Sequence, residues 1–414
     1  MEIESVRAVP GVSAYFTDDQ AAITDGTPKD GFGYAGEPTT AGFQQIREPG
    51  EALLVEIGLT SGQRVRGDCA AVQYSGVATR DPIFRADEHV AIVEERLGPE
   101  LVGRSADRFV DNARILEQCE QPDHQRDSLH TAVQYGVSQA LAAAAARSRE
   151  TTQTQVLATA LETTPASDPI AVFGQSGSAR RDAAERMLRK RVPVLPHGLF
   201  NSLETVGADG EKLLEYVSWL SDRCQQVESA YRPRFHVDIY GAVGRLFGSP
   251  YDRSEVIDYF RELERAAAPY HLQVEEPMDE GSRSAQIRAM QELRDGLADE
   301  QVTVDLVADE WCDSRADVEA FADADAVDLV QVKPPDMGSL LESGRAIRQC
   351  AGTDTRVYLG GSCNETTRSA QACTHLGLAT DVDQILAKPG MGFDEGFAVV
   401  TNEMRRTLAR HRCD

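Results

Sequence analysis

Gln175, His197, Asp238, Glu275, Asp309, Gln331, Lys333, Ser362 and Lys388 each stand at or just past the end of a short apolar run. Together they supply the parts of a metal-assisted proton abstraction: oxygen ligands for a hard divalent cation, bases, and neutral groups that can hold an anion. Asp238, Glu275 and Asp309 are the expected ligands of a Mg²⁺ ion that keeps some waters. Taken singly, each carboxylate reads equally well as a helix N-cap or a surface charge; their place on consecutive runs favours the metal. Side chains alternate along a strand, so Glu275 and Glu276 face opposite ways; with Gln273 and Glu275 inward, Glu276 points to the helices or lies in the loop. Asp309 and Glu310 pose the same choice.

Lys333 follows Gln331 by two positions and shares its face. It is the expected base, with a pKa lowered by desolvation and nearby positive charge; elsewhere such a lysine would simply reach out to solvent. His197 is expected across the mouth as a second acid/base, although a lone histidine is more often structural. Lys388 reads either as the partner of an interior carboxylate or as a substrate contact. The turn at 360–365, Gly-Gly-Ser-Cys-Asn-Glu, would aim backbone N–H groups and a hydroxyl at a substrate carboxylate. Cys363 has no basic partner nearby in sequence that would make it a nucleophile.

The elements that must position these groups are the runs themselves: 170–173, 192–195, 235–239, 272–275, 304–308, 327–332, 356–359 and 384–387. Each is a few residues long and is followed by a helix-like stretch, the alternation of a parallel sheet. Eight such units close a TIM-type (β/α)8 barrel, whose chemistry sits at the C-terminal ends of its strands. The expected barrel helices are 179–191, 209–231, 254–267, 283–297, 314–322, 338–349, 366–376 and 396–410. Before them the order is different: extended segments at 5–16, 51–59 and 64–73, then helices at 87–97, 106–119 and 129–146. Strands followed by helices indicate an α+β unit. The boundary is placed in the polar stretch 149–168, with a capping domain over 1–160 and a catalytic barrel over 161–414; the apolar stretch 156–161 is one short packed element.

The formal net charge of -25 over 414 residues disfavours nucleic acid and anionic membrane as partners, since both would be repelled. The lysines are Lys29, Lys190, Lys212, Lys333 and Lys388, five of 42 basic residues. A carboxylate-rich, lysine-poor surface stays hydrated when salt screens ordinary charge interactions, so salt adaptation is the expectation, with an acidic mesophilic enzyme as the alternative. The cysteines Cys69, Cys119, Cys224, Cys312, Cys350, Cys363, Cys373 and Cys413 have no Cys-x-x-Cys spacing, which argues against a zinc site or disulfide framework. No leader-like segment or long apolar run points to export or a membrane, and a cytoplasmic location is expected.

Motifs across the chain resemble one family: Phe-Gly-Gln-Ser-Gly at 173–177, Leu-Pro-His-Gly-Leu at 195–199, Phe-His-Val-Asp at 235–238, Leu-Val-Ala-Asp-Glu-Trp-Cys at 306–312, Gln-Val-Lys at 331–333, Gly-Ser-Cys-Asn-Glu-Thr at 361–366 and Leu-Ala-Lys-Pro-Gly-Met-Gly at 386–392. A further stretch, Gly-Asp-Cys-Ala-Ala-Val-Gln-Tyr-Ser-Gly at 67–76, extends the likeness to the first unit. In order and content they look like methylaspartate ammonia-lyases, members of the enolase superfamily, in which a lysine or histidine base works beside Mg²⁺. The resemblance implies elimination of ammonia from threo-3-methylaspartate to give mesaconate, with Mg²⁺ on Asp238, Glu275 and Asp309. Lys333 would take the proton, and His197 would serve the opposite face. It further implies that Gln73, Gln175, Gln331, Ser362 and Cys363 hold the substrate's carboxylates and amine, with Phe173 and Leu386 near its methyl group. A homodimer and stimulation by a potassium-like cation complete the implied picture. The chain departs from the family at Ser362, where threonine is usual, and at Glu276, where glycine is usual. Two other readings are an acid-sugar dehydratase or cycloisomerase of the same superfamily and a non-catalytic barrel. The first usually carries lysines on the second strand, where this chain has His197; the second would have lost a ligand or the base.

Overall fold

Short runs apolar on both faces, each followed by an amphipathic segment, close into a parallel barrel because only helices on the outside and side chains on the inside can cover both faces of such strands. The computed structural model describes residues 1–76, 80–119, 129–177, 179–248, 251–388 and 392–412. Pro389, Gly390, Met391 and Cys413 lie outside the described residues.

The chain begins with β1 (Ile3–Asp18), the short pair β2 (Lys29–Asp30) and β3 (Gly33–Tyr34), then β4 (Arg47–Leu59) and β5 (Arg64–Ala70). β1, β4 and β5 form an antiparallel sheet in that order. Helices follow at Ala86–Ala91, continuing through a π-helical turn at Ile92–Leu97, and at Phe109–Gln118 and Thr131–Ser148. The alanine-rich helix Thr131–Ser148 lies directly on β5. A Cβ on Gly136 would come within 2.3 Å of the Cys69 nitrogen, and one on Gly67 within 2.1 Å of the Gly136 oxygen, so both glycines are needed for the approach. The apolar stretch at 156–161 belongs to the helix Gln153–Leu161, whose Val156, Leu157 and Leu161 are buried.

The barrel strands are β6 (Ala171–Phe173), β7 (Val194–Leu199), β8 (Arg234–Asp238), β9 (Leu272–Glu275), β10 (Val304–Ala308), β11 (Leu329–Val332), β12 (Arg356–Leu359) and β13 (Gln384–Leu386). They run around a closed barrel in chain order, β13 pairing with β6. Seven of them fall on the expected runs to within about two residues at either end. β7 is shifted: it extends past the predicted run, so that His197 lies inside the strand at φ 45°, where the register slips between Pro196 and Gly198. Phe173, Val194, Val307, Leu329, Tyr358 and Leu386 fill the interior. At the base of the barrel Arg234 pairs with Asp383, and Asp305 takes both Arg356 and His271. The seven described cysteines are free thiols. Among the described residues no helix is long and apolar enough to cross a membrane.

Candidate active site

The parallel register of β8, β9 and β10 assembles three carboxylates. Asp238 and Glu275 are direct neighbours across β8 and β9, and Glu275 is opposite Val307 of β10, two residues before Asp309. Ligand atoms of Asp238, Glu275 and Asp309 all lie within 4.8 Å of one another, and all three residues are buried. Burial, together with Glu275 and Asp309, drives the Asp238 carboxyl well above its usual range. Burial likewise pushes Asp309 up to about 8, with Lys333 opposing and Glu310 and Glu275 adding to the rise. Asp309 Oδ1 is buried against the Lys333 ammonium. Mutual repulsion among buried oxygen donors is what a hard divalent cation relieves, so the donor set fits Mg²⁺.

Glu275 is the exception because it is already held. His236 Nε2 lies 2.6 Å and His197 Nε2 3.2 Å from its Oε2, and Gln331 Nε2 donates to Oε1 at 2.6 Å. Burial would raise this carboxyl, but the two histidines more than offset it and hold it far below its usual range. The neighbouring Glu276 turns away. With φ at 46° it leaves the strand in the left-handed region, accepting the Asp309 N–H at 3.1 Å and Gln286 Nε2 at 2.8 Å. Glu310 is drawn off by Arg80, whose buried guanidinium lies 2.9 Å from Glu310, 3.3 Å from Asp313 and 3.0 Å from Asp336. Alternation along the strand thus leaves Glu275 and Asp309, and not their neighbours, in the cluster.

Lys333 directly follows β11 and pairs with Asp309. The expected lowering of its pKa is not found. Burial does push it down, but Asp309, Glu310 and Asp336 outweigh burial and Arg80, and the ammonium is stabilised. The sequence reading missed the sum of charge that Asp309 and Glu310 after β10, Arg80 from the first unit and the nearby Asp336 bring to this nitrogen. His197 stands on β7, on the opposite side of the barrel from β11. It lies 3.8 Å from Asp238, has its Nε2 3.2 Å from Glu275, and packs edge-on against Phe173 at 5.0 Å.

The remaining residues divide. Gln73, from the first unit, meets the loop after β12: Cys363 Sγ donates to its Oε1 at 3.0 Å, while its Nε2 donates to Asp18 at 2.8 Å. Leu386 sits in the inner core with Phe173, and Gln175 lies half-buried just beyond β6. The 360–365 turn spends N–H groups on itself, Ser362 donating to Glu365 at 2.8 Å and Asn364 to Ser362 Oγ at 3.1 Å, so the N–H groups of these two residues are not free for a substrate carboxylate. Lys388 is fully buried and pairs with Glu365 at 3.0 Å; the carboxylate-partner reading matches the geometry. His236 was missed, although it precedes Asp238 by two residues and so shares its inward face.

Family models agree with this geometry over nearly the whole chain: the methylaspartate ammonia-lyase N-terminus matches residues 1–162 and the C-terminus residues 164–413. A methylaspartate ammonia-lyase of Haloarcula marismortui is 59% identical over 411 residues, covering 99% of this chain and 97% of that protein. The crystal structure of β-methylaspartase from Clostridium tetanomorphum as a Mg complex superposes with a TM-score of 0.93 at 42% identity, covering 100% of both chains. The Citrobacter amalonaticus methylaspartate ammonia-lyase structure containing (2S,3S)-3-methylaspartic acid superposes with a TM-score of 0.95 at 40% identity, again covering 100% of both. With fold, carboxylate cluster and full-length similarity in agreement, this chain belongs to the methylaspartate ammonia-lyase family.

Proposed function

We propose that this protein eliminates ammonia from threo-3-methylaspartate to give mesaconate, with Lys333 as the base and His197 on the opposite face. The observation that carries the reading is the placement of Lys333 and His197 on opposite sides of one buried carboxylate triad. Its family membership, and the substrate contained in the Citrobacter relative, support the choice of reaction.

Asp238, Glu275 and Asp309 would hold Mg²⁺. Bound there, the ion would supply positive charge that spreads the negative charge developing on a substrate carboxylate, and would neutralise the Asp309 carboxylate that otherwise keeps Lys333 protonated. Lys333 Nζ takes the proton from the carbon beside that carboxylate. The electron pair of the broken C–H bond becomes the new C=C bond as the C–N bond breaks, and the C–N electron pair leaves with nitrogen, so the –NH3⁺ group departs directly as neutral ammonia. Gln73, Gln175, Gln331, Ser362 and Cys363 orient the carboxylates and amine, while Phe173 and Leu386 enclose the methyl group and keep bulk water from the reacting carbon.

The same reading carries a homodimer, activation by a potassium-like cation, a cytoplasmic location, and a functional division near residue 160. Light scattering and the replacement of K⁺ by Na⁺ in the assay test the first two. The reaction itself is tested by the ultraviolet absorbance of the unsaturated dicarboxylate after adding threo-3-methylaspartate and Mg²⁺ in high salt. A rise that requires Mg²⁺ and is lost in Lys333→Ala is expected. No rise from folded, metal-loaded protein would overturn the assignment.

A further inference from the structure

Lys388 and Glu365 form a buried ion pair that the reaction does not use. Both are fully buried, and their charged atoms are 3.0 Å apart. Taking two charges out of water costs more than a simple pair returns, so such a pair is poor evidence for stability and is best explained by what it orients. Here a single carboxylate gathers donors from separate parts of the chain. Glu365 Oε2 accepts Lys388 Nζ and the Ser362 N–H at 2.8 Å, while Oε1 accepts the Tyr135 hydroxyl at 2.5 Å. Lys388 Nζ also donates to the Gly360 oxygen. Gly361 lies between them at φ 154°, and a Cβ there would come within 1.9 Å of Glu365 Oε2 and 2.4 Å of Lys388 Nζ. The loop is therefore wrapped around the ion pair.

Its other side is held by the first unit. Cys363 Sγ donates to Gln73, Asn364 Nδ2 donates to Thr17 at 3.2 Å, and Ser13 Oγ donates to Asn364 Oδ1 at 2.9 Å. Tyr135 sits on the helix Thr131–Ser148 that packs against β5.

We infer that Lys388 and Glu365 are positioning residues which fix the 360–365 loop, and with it Ser362 and Cys363, relative to the carboxylate triad, and that Tyr135 ties this placement to the N-terminal unit. The inference rests on the proposed reaction only in taking Ser362 and Cys363 as substrate contacts.

The test compares Tyr135→Phe, Lys388→Met and the double variant Lys388→Met/Glu365→Gln with wild type. The double variant removes the unpaired charge that Lys388→Met alone would bury, so it keeps the experiment interpretable if the single variant fails to fold. Three quantities are read: KM and kcat for 3-methylaspartate, Mg²⁺ affinity by calorimetry, and the rate of Cys363 alkylation by iodoacetamide followed by peptide mass spectrometry. Expected are a KM raised about tenfold, unchanged Mg²⁺ affinity and faster labelling of Cys363, with the double variant folded but still displaced. Wild-type KM and labelling accompanied only by a lower unfolding temperature would overturn the inference. If wild type shows no turnover, the functional reading fails, and the labelling comparison alone decides the positioning role.

Discussion

His236 Nε2 stands 2.6 Å from Glu275 Oε2, a fully buried contact beneath the barrel mouth. With Gln331 on the other oxygen, the carboxylate is oriented at both ends before any ligand arrives. Groups that orient a metal ligand are typically worth about 10–100-fold in affinity. His236→Phe should therefore weaken Mg²⁺ binding by about that factor, measured calorimetrically on protein whose circular dichroism is unchanged. Wild-type affinity in that variant would mean the histidine serves packing against Phe173 alone.

Lys333 and His197, the proposed bases, face each other across the site, which predicts a division of labour by configuration. His197→Ala should keep most turnover of the diastereomer that presents its proton to Lys333, and lose about 100-fold of its activity on the one with the opposite configuration at that carbon. Lys333→Ala should show the reverse pattern. Separate rate measurements on the two diastereomers decide it; equal losses on both would refute separate roles.

At the base of the barrel, Asp305 accepts from His271 at 2.7 Å and from Arg356. Burial alone would raise this carboxyl, but the two bonds and charges outweigh it and hold it below its usual range. A lowered folded pKa stabilises the protein above the unfolded value of about 4 and is lost as pH falls through the folded value. Asp305→Asn should cost about 1–3 kcal/mol at neutral pH, and its unfolding curve should converge on that of wild type as the medium is acidified below about pH 4. A constant gap across that range would exclude the linkage.

The net charge of -25 with only five lysines implies repulsion that salt relieves. The unfolding midpoint should rise from low salt to molar KCl by more than it does for Asp→Asn surface variants of reduced charge. Insensitivity to salt would dispose of the halophilic reading.

Strand positions were legible because each run is short, apolar on both faces and closed by a polar group; the runs 272–275, 304–308 and 356–359 coincide with β9, β10 and β12. Alternation likewise points to Glu275, and the left-handed turn at Glu276 agrees with it. The same two-residue rule applied to Asp238 places His236 on the inward face, so its position too was legible in the sequence. Other features were decided only by the tertiary structure. Lys388 meets Glu365 because β13 lies beside β12 in the closed barrel, a neighbour relation no local pattern encodes. The state of Lys333 depends on Asp309 and Glu310 from the loop after β10 and on Arg80 from the first unit, together with Asp336 one helical turn on. Residue types and periodicity are local and survive in the sequence, whereas the potential at a buried nitrogen is a sum over charges that only folding brings within reach.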